Sequence, residues 1–382
     1  MIVVYHGVLP YNRSRHRGMM AAYGDRLPLV YVDPDTQHRV TEERALPTVL
    51  KEIGTSPRPG QYAVALQSVL PGGRFRPIAL LNRWIAMRNL LDHLRRQTGQ
   101  PVVLITQRPG LLPTLRGLNA SMTVYEIRDD YVSLALDDKA ATRTQTSHDR
   151  LLKEADQVWA ISRALVDATA SKRPDTLLTG VGVEYSEYAS ADELAAPPAL
   201  RALDRPRVGL VGNLNDRVDW RLLEDIARAR PQWQVVVVGP VYHSSDAARI
   251  GLENLVALPN AHHIGAVRQE TIASCIAALD VCLIPYRLTQ ATRRINSLKV
   301  YQYLAVGRPV VASRIPSIAE LGDVVACVEP EDFVSSIEAA LTDRSGSEQR
   351  RRRAAMFDWP TIVEDQISFL NKHLDPPHGA IT

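Results

Sequence analysis

The residues best equipped for chemistry crowd into Arg293–Ser313, which reads R-R-I-N-S-L-K-V-Y-Q-Y-L-A-V-G-R-P-V-V-A-S. Arg293, Arg294, Asn296, Ser297 and Lys299 gather at the start of a helical pattern. The unpaired N–H groups and positive dipole end of a helix already favour an anion there. Lys299 adds a point charge, and the set suits a diphosphate. The competing reading is an ordinary amphipathic helix with a solvated basic end. Ile295, Leu298, Tyr301 and Leu304 recur at steps of three, so one helix face is expected through this stretch. Gly307 stops it, Pro309 cannot continue it, and Pro309–Ala312 reads as a short buried strand.

Elsewhere the reactive types are sparse. Asp129 and Asp130 are adjacent carboxylates, each able to raise the other's pKa toward neutrality. The plain alternative is that one of them caps the helix that follows. His6 and His16 are histidines near Gly7, suited to a structural or acceptor-binding role. His262-His263 lacks partners at ligand spacing and reads as a solvated loop. No acidic pair follows a strand in the second half, so nothing in the sequence requires a metal or other cofactor. Arg350–Arg353 reads as a solvated helix face. Cys275, Cys282 and Cys327 are odd in number, lack metal spacing and fall in apolar segments, as core thiols of a reducing compartment would.

Alternating strands and helices must position these groups. Strands are expected at Ile2–Tyr5, Leu29–Val32, Tyr62–Leu66, Val102–Thr106, Met122–Ile127, Gln157–Ile161 and Thr176–Leu178. Between them a helix runs to about Tyr23, and 41–60 is a loop with a weak helix. A longer helix covers Ile78–Gln97, a Pro109-Gly110 turn leads into a short one, and further helices cover Thr146–Ala155 and Arg163–Ala170, the last capped by Ser162. Ala189–Pro206 is Ala/Pro-rich and aperiodic, as a linker is. A second series then runs through strands Arg207–Val211, Gln234–Val238, His262–Gly265 and Val281–Pro285. Its helices are Asp219–Arg230, Arg268–Ala278, Asp332–Leu341 and one containing Arg350–Arg353. Such alternation implies doubly wound parallel sheets, whose ligands bind beyond the C-terminal strand ends. In the second series those ends are Gly212-Asn213, Gly239-Pro240, Gly265–Val267, Pro285-Tyr286 and Ser313-Arg314. The Gly209–Leu214 segment, G-L-V-G-N-L, fails the dinucleotide fingerprint.

The 382 residues exceed one ordinary core. Composition is that of a soluble globular protein, 45% hydrophobic and 23% charged. No run approaches the roughly 20 apolar residues of a membrane span. The start, Met1-Ile-Val-Val-Tyr, lacks the basic opening of a signal peptide, so a cytoplasmic location is expected. The formal charge of +3 is uneven: residues 1–100 carry 14 Lys+Arg against 7 Asp+Glu, and the remainder 31 against 35. A basic first third, including the arginines on Ile78–Gln97, suits an anionic membrane surface or a phosphate-bearing acceptor; the bland alternative is arginines facing water. Nucleic acid is disfavoured, since no binding motif accompanies the charge.

The segments D-V-C-L-I-P-Y (Asp280–Tyr286) and S-L-K-V-Y-Q-Y-L-A-V-G-R-P-V-V-A-S together resemble the donor-binding half of GT-B glycosyltransferases. The likeness includes bacterial enzymes that build cell-surface polysaccharides, of teichuronic-acid and xanthan types. It covers Arg207–Leu341 well and Met1–Tyr188 more loosely. It implies an α/β fold of two Rossmann-like domains facing a cleft: 1–188 for the acceptor, a linker 189–206, 207–358 for the nucleotide sugar, and 359–382 crossing back as a helix. It also implies sugar transfer from a nucleotide-sugar donor to a glycan or lipid-linked acceptor. On this likeness Gly265–Val267 would hold the base of the nucleotide, and Tyr286 and Lys299 the diphosphate.

The chain departs from that pattern at two places. Retaining relatives carry two glutamates eight positions apart, where this sequence has Arg294 and Gln302. Gln302 can still hydrogen-bond a ribose hydroxyl. The departure resembles inverting relatives, which need a base to deprotonate the acceptor hydroxyl. Asp130, in the position resembling the family's aspartate, and Asp129 are the candidates, with His6 and His16 as alternatives. A retaining transferase, a UDP-sugar 2-epimerase and a catalytically silent binding subunit remain the alternatives.

Overall fold

The computed structural model describes residues 1–7, 17–37, 51–52, 61–67, 75–241, 246–343 and 345–374. The chain divides into two compact units, Met1–Gly180 with Pro360–Thr382, and Val181–Trp359.

The first unit is built on a sheet of β1 (Ile2–His6), β2 (Leu29–Gln37), β3 (Lys51–Glu52), β4 (Gln61–Gln67), β5 (Val102–Thr106), β6 (Met122–Ile127), β7 (Gln157–Ala160) and β8 (Leu177–Leu178). Their order is β3-β4-β2-β1-β5-β6-β7-β8, parallel except for β3 against β4. Central strands β1, β5 and β6 are buried along their whole length, which is why they read as unbroken apolar runs. Helices α1 (Arg17–Gly24), α2 (Arg76–Thr98), α3 (Asp138–Glu154) and α4 (Arg163–Thr169) connect them. Ser162 caps α4 as expected, accepting from the Leu165 N–H.

Three expectations fail here. Within 41–60, expected as a loop with a weak helix, Lys51–Glu52 is strand β3, and the rest lies outside the described residues. No helix follows Pro109-Gly110; residues 107–121 are turns and bends. And α3 begins eight residues before Thr146. Asp137 caps it by accepting from the Ala140 N–H at 2.6 Å, while its first half buries nothing and so shows no apolar period.

The second unit carries β9 (Arg207–Val211), β10 (Gln234–Val238), β11 (Ala261–Gly265), β12 (Val281–Ile284), β13 (Val310–Ser313) and β14 (Ala326–Val328), all parallel, in the order β11-β10-β9-β12-β13-β14. Its helices are α5 (Tyr185–Ala189), α6 (Pro198–Arg201), α7 (Trp220–Ala229), α8 (Asp246–Val256), α9 (Ile272–Ala277), α10 (Gln290–Arg294), α11 (Leu298–Val306), α12 (Pro316–Ala319), α13 (Phe333–Thr342) and α14 (Ser347–Ala355). The stretch expected as a linker, 189–206, instead lies inside this unit. It holds a turn at Ala191–Glu193 and α6, and buries Ala191 and Leu200 completely. Helix α8 was not expected, because it seats small residues, Ala248 and Gly251, and offers little apolar signal.

The last helix, α15 (Trp359–Leu374), joins the first unit from Pro360 on. There Tyr23 donates to Gln366 Oε1 at 2.6 Å, and Phe369 packs edge-on against Trp159. Strand order reverses between β9 and β12 in the second unit and between β1 and β5 in the first. Such reversals open a crevice at the C-terminal strand ends.

Candidate functional site

At the reversal in the second unit β9 is followed by Gly212, with φ at 131°. A side chain there would be strained, and its Cβ would lie 2.5 Å from Lys299 Cε and 2.8 Å from Nζ. Gly239 follows β10 and lies against Gly212: a Cβ on Gly239 would strike the Gly212 carbonyl. The two glycines therefore let two strand ends and the Lys299 stem pack together. Lys299 lies in the first turn of α11, with Nζ 6.0 Å from the centre of the Tyr286 ring. Among the described residues no carboxylate lies within ion-pair distance of it. The α11 N-terminus has no side-chain cap either, so first-turn N–H groups and an uncompensated ammonium share one place.

The single helix expected across Arg293–Val306 is two. Thr289 and Thr292 cap α10 reciprocally, and Ile295 (ψ 157°) and Ser297 (ψ 111°) are extended before α11 starts. Ser317 donates to the Ile295 carbonyl at 2.7 Å and holds the break. Ile295 is buried like Leu304, which is why the apolar period runs through the break unchanged. Arg293, exposed, and Arg294, half-buried, therefore end α10 and do not belong to the first turn of the Lys299 helix. Asn296 accepts from the Tyr301 hydroxyl at 3.0 Å, and Ser297 is buried.

Gln302 donates one amide N–H to the Tyr188 hydroxyl at 2.6 Å, which leaves its second N–H and its carbonyl oxygen with capacity for another partner. Asn213 sits half-buried beside Gly212; Gly265 is the last residue of β11, and Val267 follows it. His262-His263 is no solvated loop: both lie in β11, His262 paired with Gln234 Oε1 at 2.7 Å and His263 with the Gly239 carbonyl at 2.9 Å.

In the first unit, β6 delivers Glu126 and the loop Arg128–Tyr131. Glu126 is fully buried; it accepts from Tyr5 and from Gln107 at 2.8 Å, and pairs with Arg128 Nη1 at 2.9 Å. Burial alone would lower the Arg128 pKa, but the Glu126 carboxylate beside it holds it above the usual value. Asp130 follows, 7% exposed, with both oxygens engaged by Ser133: Oδ1 accepts from its N–H at 3.1 Å and Oδ2 from its hydroxyl at 2.7 Å. Asp129 Oδ1 accepts from the Asp130 N–H. The turn that Asp130 closes continues as turns, not as a helix.

Behind this loop His148, on α3, meets the Tyr125 hydroxyl through Nδ1 at 2.8 Å. Burial holds its pKa below normal. His6, expected to bind an acceptor, is completely buried at the end of β1, and neither ring nitrogen has a partner among the described residues. Burial, aided by Arg83, lowers its pKa to about 3, so it is a neutral interior group with no surface to offer. His16 lies outside the described residues.

Residues 205–343 match the family model for glycosyl transferases group 1. A Bacillus subtilis (strain 168) protein named as a teichuronic acid biosynthesis glycosyltransferase, TuaH, is 24% identical over 237 residues, which is 59% of this chain and 56% of that protein. The match thus spans little more than half of that relative's length. Among solved structures, sucrose-phosphate synthase from Thermosynechococcus elongatus superposes with a TM-score of 0.71 at 18% identity, covering 98% of this chain and 99% of its own. An α,α-trehalose-phosphate synthase (UDP-forming) from Burkholderia xenovorans, in complex with glucose-6-phosphate, gives 0.70 at 12%, covering 97% and 100%. At such identities the likeness concerns the fold.

The chain has the GT-B fold, and residues 205–343 of its second unit are similar to group 1 glycosyltransferases.

Within this GT-B chain, Lys299, Gly212, Gly239 and Tyr286 come together, with the Asn296-Ser297 turn leading into the same helix end. Arg293 and Arg294 stand on the neighbouring helix. Sequence reasoning passed over Glu126, His148 and Tyr188, and marked Ser313 only as a strand end. Ser313 accepts from the Tyr286 N–H at 2.9 Å and fixes the strand end that carries that ring. Only its place at the end of an apolar run marked it; the others had no local signal.

Proposed function

We propose that this chain transfers a glycosyl group from a nucleotide sugar to a hydroxyl acceptor. The observation that carries it is the uncompensated Lys299 ammonium at the uncapped start of α11, packed on Gly212. A diphosphate leaving group needs cationic and N–H donors where its charge develops. Lys299 and the α11 N–H groups supply both, with Gly265–Val267 facing the nucleotide base and the Gln302 carbonyl oxygen accepting from a ribose hydroxyl.

In the inverting reaction proposed, the acceptor oxygen attacks the anomeric carbon and its proton passes to Asp130. The bond from that carbon to the diphosphate oxygen breaks, and the nucleoside diphosphate departs with the electron pair. Ser133 holds both Asp130 oxygens, so the base acts by exchanging a Ser133 contact for the acceptor hydroxyl. The departures at Arg294 and Gln302 favour inversion over a retaining course. UDP is the favoured nucleotide, the one released by the UDP-forming trehalose-phosphate synthase of the same fold. A polysaccharide-precursor or lipid-linked acceptor follows from the name of TuaH.

The same proposal places the protein peripherally on an anionic cytoplasmic membrane face. Among the described residues no helix is long and apolar enough to cross a membrane. On α2, Leu81 and Arg88 share an exposed face and Phe75 stands 71% exposed at its start.

Thermal shift with UDP, GDP and ADP, on wild type and Lys299→Ala, tests the donor site. A ligand at a hundred times its Kd stabilises the native state by about 2.7 kcal/mol. A UDP-selective rise in Tm that disappears in Lys299→Ala is expected. No shift with any nucleotide would reject the proposal.

A further inference from the structure

The second unit has a cavity of about 380 Å3 at the opposite end of its strands from Lys299. Val310 and Ala326, the first residues of β13 and β14, form its floor, whereas Gly212 and Tyr286 follow the last residues of their strands. Ser336 and Ala340 of α13 and Arg350 of α14 complete the wall. Its volume lies within the range of small-molecule sites.

Arg350 was expected on a solvated face, yet it is 6% exposed. Two neighbouring guanidinium groups, those of Arg308 and Arg351, share one carboxylate. Asp192 accepts from Arg308 Nη2 at 2.8 Å through Oδ1 and from Arg351 Nη2 through Oδ2, so both of its oxygens are taken. Arg350 makes neither a side-chain hydrogen bond nor an ion pair among the described residues. Asp343 acts on it only at a distance, and its carboxylate is turned to the Ser345 N–H and hydroxyl. Arg344, outside the described residues, is itself cationic and no counter-charge. A buried guanidinium carries five donors and a charge that burial penalises unless an anion meets it.

We propose that this cavity binds a small organic oxyanion, a carboxylate or phosphate monoester, with its charge on Arg350. Asp323 and Asp343 on the rim would accept from hydroxyl or ammonium groups elsewhere on the ligand. They also disfavour polyanions such as a nucleoside diphosphate, which separates this site from the one at Lys299. The ligand is thus a second, regulatory or product-derived anion, and its binding needs no donor and no catalysis.

The test is thermal shift and calorimetric titration with inorganic phosphate and with lactate, against chloride at equal ionic strength. It is run on Lys299→Ala protein, which removes the donor-site lysine, so the outcome does not depend on the transferase assignment. A saturable oxyanion shift is expected, weakened at least tenfold in Lys299→Ala/Arg350→Gln and in Lys299→Ala/Ala340→Phe. The second variant fills the cavity and leaves the charge in place, so it decides the matter if Arg350→Gln does not fold. Phosphate without lactate would assign the phosphate monoester class, and the reverse the carboxylate class. The absence of any oxyanion shift in folded Lys299→Ala protein would overturn the proposal. So would a shift that survives both double variants.

Discussion

The Lys299 side chain occupies the space where a Cβ on Gly212 would stand, with Nζ 2.8 Å from that position. The glycine and the lysine are therefore one device, although 87 positions separate them in the chain. Gly212→Ala forces a side chain into a backbone conformation at φ 131°, a cost of roughly 1–3 kcal/mol, and pushes the ammonium aside. A lower urea midpoint together with a diminished nucleotide-induced Tm shift is expected. Unchanged nucleotide binding in a folded Gly212→Ala protein would separate the two residues functionally.

Glu126 and Arg128 form a buried ion pair, their side chains 2% and 7% exposed, at the root of the Asp129-Asp130 loop. Removing one partner of such a pair leaves the other charge uncompensated, at about 3–5 kcal/mol. Glu126→Gln keeps the shape but not the charge, so chemical denaturation should show a loss of that order. A change below about 1 kcal/mol would mean that Arg128 finds another counter-charge.

Asp130→Asn keeps the size of the side chain and removes its basicity. Loss of a general base costs about 100- to 10,000-fold in rate, so kcat should fall by that factor with little change in donor binding. Ser133→Ala releases one hydrogen bond to Asp130, and about 1 kcal/mol of stability with it. A kcat for Asp130→Asn near that of wild type would exclude it as the base.

His6 links stability to pH. Its pKa is about 3 in the folded chain, against an ordinary value near 6.5, so the unfolded state binds its proton first. Its contribution is fully present above about pH 6.5 and declines as pH falls through the interval down to about 3, at roughly 1.4 kcal/mol per pH unit. Urea midpoints compared between pH 7 and pH 5 should show this slope, and His6→Gln should flatten it. An unaltered slope would assign the acid sensitivity to other groups.

Membrane association through α2 predicts salt-sensitive co-sedimentation with anionic vesicles and none with neutral ones. Each basic residue near an anionic surface contributes about 1 kcal/mol. Arg88→Glu together with Phe75→Ser should abolish it and leave nucleotide binding unaltered. Retention of the double variant on anionic vesicles would place the contact elsewhere.

Strands such as Met122–Ile127 and Arg207–Val211 are legible in the sequence because a strand buried on both faces must be apolar along its length. The Ser162 cap and the Gly307 stop are legible too, since each acts on backbone within four residues of itself. From the same local signals came Lys299 at a helix start and Asp129-Asp130 at a strand end. What the sequence could not hold was the company those residues keep. The break before α11 depends on Ser317, the occupied state of Asp130 on a turn, and the burial of His6 on the sheet around it. Arg350 lies inside the second unit while two other arginines claim Asp192, from positions 116 and 159 residues away. Desolvation and charge pairing are set by neighbours distant in the chain, so only the tertiary structure decided them.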